Sequence, residues 1–112
     1  LVTRGASGQY YVFVVPVARS LDLKKAARAV GERSIAMLPQ RELLPLTGYV
    51  HGGCSPLGMK KPFRTTIAEE AAKEPTILVS AGRVGDQVEL PPDTLLTLVR
   101  QGSFADLTAE AE

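Results

Sequence analysis

Residues 9–17 read QYYVFVVPV, and this run decides the fold class. Its side chains are almost all β-branched or aromatic, a composition that favours a strand over a helix. Because the apolar residues follow one another without polar alternation, the pattern predicts a strand with both faces buried. The preceding residues 5–8, GASG, predict a turn. Residues 1–3 are therefore expected to pair with this strand as a hairpin.

The ends of the chain give two further expectations. A length of 112 residues and a mass of 12.0 kDa predict one domain over residues 1–112. A hairpin whose first strand starts at residue 1 is unusual. The expectation is that the chain begins inside this strand and that an N-terminal segment is missing.

A helix is predicted directly after the strand. Ser20 or Asp22 can cap its first turn, and Gly31 suits the left-handed position after its last turn. Its apolar stripe has the spacing i, i+3, i+4 and i+7 and comprises Leu23, Ala26, Ala27 and Val30.

The remaining elements alternate irregularly. Strands are predicted at residues 34–38, 64–67, 76–81 and 87–90, and short helices at residues 39–44, ended by Pro45, and 68–73. A last helix should start at residues 91–93, face Leu95, Leu98 and Val99 inward and end at Gly102, before a fraying acidic tail at residues 108–112. This order predicts an α+β domain, with a mixed sheet or small barrel carrying peripheral helices, and disfavours a doubly wound parallel sheet.

Composition and charge exclude several classes of protein. Hydrophobic residues make up 45% and charged residues 22% of the chain, which is globular composition. The net charge of +1 lacks the basic excess of a non-specific nucleic-acid binder. Two local basic clusters remain, each more typical of a solvated face: Lys24, Lys25 and Arg28, and Lys60, Lys61 and Arg64. No apolar run approaches the roughly 18 residues that span a bilayer, so no membrane association is expected.

Cys54 is the only cysteine. An intramolecular disulfide is therefore excluded, and a cysteine-based zinc site is disfavoured. We expect no metal and no cofactor, and the cysteine usage is compatible with a cytoplasmic location.

Residues 47–62, TGYVHGGCSPLGMKKP, carry four glycines and two prolines, which predict an ordered loop. Gly53 and Gly58 have the spacing of a phosphate-binding P-loop. Met59 then occupies the position where that motif needs lysine, which disfavours a nucleotide hydrolase.

Two other chemistries remain open for this loop. Cys54 could act as a nucleophile assisted by His51, although Lys60 stands where a thiol phosphatase needs arginine. Alternatively, the glycines allow backbone N–H groups to approach a ligand and stabilise an oxyanion. Pro56 would then stiffen the loop, and Ser55 would add a hydroxyl.

The loop also resembles a known family signature. Residues 47–61 are similar to the GxxxPLG-type motif of the YbaK/EbsC proteins. Residues 16–25, 79–90 and 104–106 resemble the strand-to-helix passage, late hairpin and terminus of that family, in the same order. The chain is thus identified as a YbaK/EbsC-like protein, and the fold implied is a small mixed β-barrel with helices packed around it.

The resemblance implies a trans-editing aminoacyl-tRNA deacylase, which typically hydrolyses cysteine from the proline tRNA. Such editing exists because small amino acids are poorly discriminated by pocket shape. Implied partners are the aminoacylated 3′ end of tRNA and a prolyl-tRNA synthetase, and Lys60 and Lys61 are the implied tRNA contacts. The implied substrate-binding residues are Gly52, Gly53, Cys54, Ser55, Pro56, Leu57, Gly58, Ser80 and Gly82.

The chain departs from the family pattern at three positions. The functional lysine of the family lies in a Lys-Thr pair just before the strand that matches Leu1 and Val2, outside this sequence. The family's N-terminal tyrosine is also absent, and Gln87 stands where relatives can carry aspartate. A non-catalytic module that binds tRNA ends or a synthetase is therefore the alternative function. The edited amino acid stays open between cysteine, proline and alanine.

Overall fold

The computed structural model describes residues 1–109. The elements of this part, in chain order, are β1 (Val2–Gly5), β2 (Tyr10–Val14), β3 (Ser20–Leu21), α1 (Leu23–Val30), β4 (Ile35–Met37), α2 (Gln40–Thr47), β5 (Arg64–Ala68), a 3₁₀ helix (Glu69–Lys73), β6 (Ile77–Ser80), β7 (Gln87–Leu90), α3 (Pro92–Leu98), β8 (Arg100–Ala105) and β9 (Thr108–Ala109).

Five strands form one mixed sheet in the order β4-β1-β2-β5-β8. The predicted hairpin is confirmed, because β1 pairs antiparallel with β2, with Val2 opposite Val12. β2 and β5 are parallel, as are β5 and β8. β5 gives only a weak strand signal in the sequence, yet it is an interior strand whose residues from Thr65 to Ala68 are buried.

The α+β class is confirmed, but the closed barrel is wrong. Closure requires the two edge strands of a sheet to hydrogen-bond to each other. Within residues 1–109, β4 and β8 form opposite edges of the five-stranded sheet and do not pair. The late strands β6 and β7 pair only with each other, and β3 pairs with β9, so neither ribbon bridges the edges.

The core lies on both faces of β2. Tyr11 and Phe13 contact one hydrophobic cluster, which includes the buried residues of α1. Val12 points to the other face and packs in a cluster with Leu38 and Leu43 near α2. Successive side chains of a strand point to opposite faces, so the uninterrupted apolar run serves two cores. The predicted burial on both faces is confirmed for Tyr11, Val12 and Phe13, but the strand ends at Val14, and Val17, the last residue of the predicted strand, is fully exposed.

Helix α1 is also close to the prediction. Asp22 caps it by accepting hydrogen bonds from the backbone N–H groups of Lys24 at 2.9 Å and Lys25 at 3.0 Å, whereas Ser20 lies in β3. Gly31 ends the helix with φ 75°. Of the predicted stripe, Leu23 is partly exposed instead, and the other three residues are buried.

Two predicted helix ends and one predicted buried residue are wrong. Pro45 does not end α2, because the Gly48 N–H still donates to the Leu44 carbonyl and the helix runs to Thr47. Leu98 is 60% exposed, so it does not face inward. Gly102 lies within β8, where a side chain would overlap the Leu96 carbonyl; this glycine lets the strand pass close to α3.

The predicted tail is wrong for the residues that can be checked. Thr108 and Ala109 form β9 and pair with β3. Thr108 is buried, and its hydroxyl donates to Glu70 at 2.7 Å. The rest of the predicted tail, residues 110–112, lies outside the described residues.

Candidate functional site

An open cleft of about 620 Å³ lies between the loop that follows α2 and the β6–β7 hairpin. The apolar wall is formed by Val12, Phe13 and Val14 of β2 and by the residues that directly follow this strand. Ser55 and Pro56 enter from the loop, and Ser80 and Gln87 from the hairpin. Every sulfur atom of the chain belongs to a residue that lines this cleft, namely Met37, Cys54 or Met59.

The structure brings only part of the predicted site into this cleft. Cys54, Ser55, Pro56 and Ser80 line it. The remaining predicted residues do not line the cleft. They are Gly52, Gly53, Leu57, Gly58 and Gly82. Their assignment to substrate binding therefore stays a prediction.

The non-lining glycines lie where chain segments approach closely. A Cβ at Gly53 would lie 3.0 Å from the backbone nitrogen of Val84 and 3.1 Å from the carbonyl carbon of Arg83. Gly82, with φ 104°, and Gly58, with φ 64°, both face Tyr49. The glycines of the loop therefore indicate close packing against the hairpin as well as space for the backbone to approach a ligand.

The loop is ordered by a few specific hydrogen bonds. The Ser55 hydroxyl is buried and accepts from the backbone N–H of Leu57 at 3.1 Å. The backbone N–H of Lys60 donates to the Thr47 carbonyl at 2.9 Å, which closes the base of the loop. In the described part of the chain, the N–H groups of Cys54 and Ser55 donate to no protein acceptor. Both residues line the cleft, which makes these two N–H groups candidate donors to an oxyanion.

Cys54 does not have the environment of an activated nucleophile. Burial raises the pKa of its thiol above the ordinary value of 9.0, outweighing the opposing effects of the N-terminal ammonium and Thr47. A thiol nucleophile needs the opposite shift, toward the thiolate. His51 is exposed, and within residues 1–109 no hydrogen bond joins it to Cys54. The geometry therefore disfavours the thiol hydrolase.

The two basic clusters differ in how free their side chains are. Lys60 and Lys61 are exposed and form no ion pair within the described residues, and they follow Met59 at the edge of the cleft. The Lys25 side chain, by contrast, is held by two hydrogen bonds, because its Nζ donates to the Asp106 carboxylate at 3.1 Å and to the Thr108 carbonyl at 2.8 Å.

Sequence reasoning missed one charged residue of the site. Arg19 lines the cleft, and it is the one Lys or Arg side chain that does so within residues 1–109. Its Nε lies 3.8 Å from a carboxylate oxygen of Glu70, a loose ion pair. Arg19 stands alone between Ala18 and Ser20, so no cluster or motif in the sequence marks it.

In the described part of the chain, no three His, Cys, Asp or Glu side chains lie together as a metal-ligand set. No helix there is both long enough and apolar enough to cross a bilayer.

Comparison with known proteins gives one consistent result. The family model described as an aminoacyl-tRNA editing domain matches residues 1–98. A protein of Enterococcus faecalis named "Putative Cys-tRNA(Pro)/Cys-tRNA(Cys) deacylase EbsC" is 47% identical over 110 residues. The match covers 98% of this chain and 66% of that protein, so the chain spans about two thirds of its relative.

Two solved structures have the same fold. One, described as a putative trans-editing enzyme for prolyl tRNA synthetase, superimposes with a TM-score of 0.89 at 31% identity, covering 98% of this chain and 68% of that one. The other comes from work on epitope grafting onto scaffold proteins and gives a TM-score of 0.90 at 31% identity, over 99% of this chain and 70% of that one.

Proposed function

Because the chain belongs to the aminoacyl-tRNA editing domain family, we propose that it hydrolyses the ester bond of mischarged aminoacyl-tRNA, with cysteine on the proline tRNA as its first substrate. The observation that carries this proposal is the 47% identity to a protein named as a Cys-tRNA deacylase.

The cleft supports ester hydrolysis without a side-chain nucleophile. The aminoacyl group lies against the apolar wall of β2, with its ester carbonyl facing Cys54 and Ser55. Water attacks that carbonyl, and the two free N–H groups stabilise the oxyanion that forms. When the intermediate collapses, the bond to the ribose oxygen breaks, which releases the amino acid and restores the ribose hydroxyl. The catalytic effect comes from positioning and electrostatics.

Cationic side chains near the cleft account for tRNA binding. Arg19 at the cleft contacts the last phosphate of the 3′ end, since its loose pairing with Glu70 leaves the guanidinium able to reorient. Lys60 and Lys61 contact the phosphates that lead into the site. A prolyl-tRNA synthetase is the proposed protein partner, because one structural neighbour is described as acting in trans for that enzyme.

The test is release of cysteine from cysteinyl-tRNA(Pro), compared with release of proline and alanine from the same tRNA. The chain is assayed as it stands and with a Lys-Thr pair added before Leu1, which lines the cleft. Release of cysteine by either form supports the proposal. Failure of both forms to release any of the three amino acids contradicts it.

Binding without hydrolysis is the second candidate, and one observation favours it. No lysine of the described residues lines the cleft. In that case charged tRNA is bound and protected, and no amino acid is released by the chain as it stands. The same assay therefore separates the two functions.

The tRNA contacts are tested by charge reversal with a matched control. Lys60→Glu together with Lys61→Glu should weaken tRNA binding and lower the salt dependence, with a slope smaller by about 0.7 per lost phosphate contact. Lys24→Glu with Arg28→Glu makes the same charge change on α1, where both side chains are exposed. Equal loss in the two double variants would place the tRNA elsewhere.

A further inference from the structure

Tyr49 connects the two walls of the cleft. Its hydroxyl donates a hydrogen bond to the Leu57 carbonyl at 2.5 Å, which ties the start of the loop to its middle. Its ring edge lies against Gly82, where an added Cβ would be 2.9 Å from Cε1. Its hydroxyl also faces Gly58, where an added Cβ would be 3.1 Å away. One side chain thus touches both the loop and the hairpin.

The backbone of Tyr49 is fixed as firmly as its ring. Its N–H donates to the Thr47 hydroxyl at 3.0 Å, and that hydroxyl donates to the Leu43 carbonyl at 2.8 Å inside α2. Thr47 is 1% exposed, so this anchor is buried. The backbone position of Tyr49 is therefore fixed by helix α2.

These contacts place Tyr49 behind the cleft without making it part of the lining. Ser55 and Pro56 precede the carbonyl that Tyr49 holds, and Ser80 precedes the glycine on which its ring packs. The ring therefore lies between the two segments that carry these polar groups and helps to set their separation, together with the contact of Gly53 on the hairpin backbone. A shift of about 1 Å in such a separation can reduce a reaction rate by as much as a hundredfold.

We propose that Tyr49 is a positioning residue for the hydrolysis: it holds the loop that carries the Cys54 and Ser55 N–H groups at a fixed distance from the hairpin that carries Ser80. This inference rests on the proposed function. It predicts that loss of one hydroxyl, outside the cleft, lowers turnover without weakening substrate binding.

The first test is Tyr49→Phe against Tyr10→Phe. Both tyrosines are half-buried; the Tyr49 hydroxyl donates to a backbone carbonyl, whereas the Tyr10 hydroxyl accepts from the Arg4 guanidinium at 3.0 Å. Tyr49→Phe should lower kcat about tenfold and leave KM within about twofold, because the geometry changes and the contact surface does not. Tyr10→Phe should leave both constants unchanged. Equal kcat in the two variants would overturn the proposal.

The second test approaches the same contact from the hairpin. Gly82 and Gly85 have φ of 104° and 86°, so alanine is strained at both positions. Only the Gly82 methyl meets the Tyr49 ring, since nothing lies within 4 Å of a Cβ at Gly85. Gly82→Ala should therefore lose turnover, and more thermal stability than Gly85→Ala, whereas Gly85→Ala should keep its turnover. Equal turnover in the two glycine variants would overturn the proposal.

Hydrogen exchange separates failure of this inference from failure of the proposed function. If the chain, with or without the added Lys-Thr pair, releases no amino acid, the proposed function fails. Exchange of the backbone N–H groups of residues 53–55, 57 and 58 then decides the role of Tyr49, since Pro56 has no N–H. Faster exchange in Tyr49→Phe than in Tyr10→Phe supports the positioning role, and equal exchange overturns it.

Discussion

Two neighbouring threonines in β5 should respond in opposite ways to the same substitution. Thr65 and Thr66 are 2% and 1% exposed. The Thr65 hydroxyl donates to the Phe63 carbonyl at 3.0 Å, whereas the Thr66 hydroxyl has no hydrogen-bond partner among the described residues. Valine has nearly the same shape and the same strand preference as threonine. Substitution by valine therefore isolates the hydroxyl.

The magnitudes follow from the cost of burying an unpaired polar group. Removal of the Thr66 hydroxyl eliminates a desolvation penalty of about 1–3 kcal/mol, so Thr66→Val should raise the free energy of unfolding by about 1 kcal/mol. Thr65→Val loses a hydrogen bond and leaves the Phe63 carbonyl without its donor, which should cost about 1–2 kcal/mol. Thr3→Val provides a second control, because the Thr3 hydroxyl donates to the Tyr11 carbonyl at 3.0 Å.

Urea unfolding followed by circular dichroism measures both effects. The midpoint should move up for Thr66→Val and down for Thr65→Val and Thr3→Val, with the same m-value in all proteins. The Tm should shift by about 4 °C per kcal/mol for a domain of this size. If Thr66→Val is destabilised as much as Thr65→Val, the Thr66 hydroxyl is satisfied in solution and the reasoning is refuted.

Three further predictions follow from the packing and from the thiol. Gly53→Ala should lower kcat more than about tenfold, since its methyl meets the Arg83–Val84 backbone and forces the loop away from the hairpin; unchanged activity would show that the two segments separate freely. Leu95→Ala should destabilise the fold by about 2–5 kcal/mol and Leu98→Ala by less than about 0.5 kcal/mol in thermal unfolding, because Leu95 is 0% and Leu98 60% exposed. Because burial raises the pKa of the Cys54 thiol above 9.0, the thiol should react slowly with iodoacetamide at neutral pH. For the same reason, the stability that the protonated thiol contributes is present below pH 9.0 and is lost as the pH rises through the pKa of the thiol in the folded protein. The kcat of Cys54→Ala should stay within about tenfold of the unsubstituted protein. A decrease of more than about a thousandfold would instead support Cys54 as the nucleophile.

Local sequence patterns were sufficient for the elements that depend on neighbouring residues. The run in residues 9–17 predicted β2 and its burial on both faces, because composition and periodicity express strand burial directly. The cap at Asp22 and the left-handed Gly31 predicted the ends of α1, because capping is satisfied within one turn. The loop after α2 was likewise marked by its own glycines and prolines.

Other features depended on contacts between distant segments. Whether the sheet closes depends on which strands meet at its edges, and no local pattern states that β6 and β7 pair only with each other. β8 was missed because Gly102 resembles a helix end, although it lies in a strand that passes Leu96. Arg19 and Tyr49 were missed for the same reason, since their partners Glu70 and Gly82 lie far along the chain.

The sequence by itself determined the family, the central strand and the identity of the loop beside the cleft. The tertiary structure decided which residues of that loop line the cleft and which hold it in place. Gly53, Gly58 and Gly82 look alike in the sequence, and all three serve close packing between the loop, Tyr49 and the hairpin. The physical reason is that a glycine in a sequence indicates only that a side chain would not fit or that φ is positive. The fold determines which group lies in the space that the missing side chain leaves.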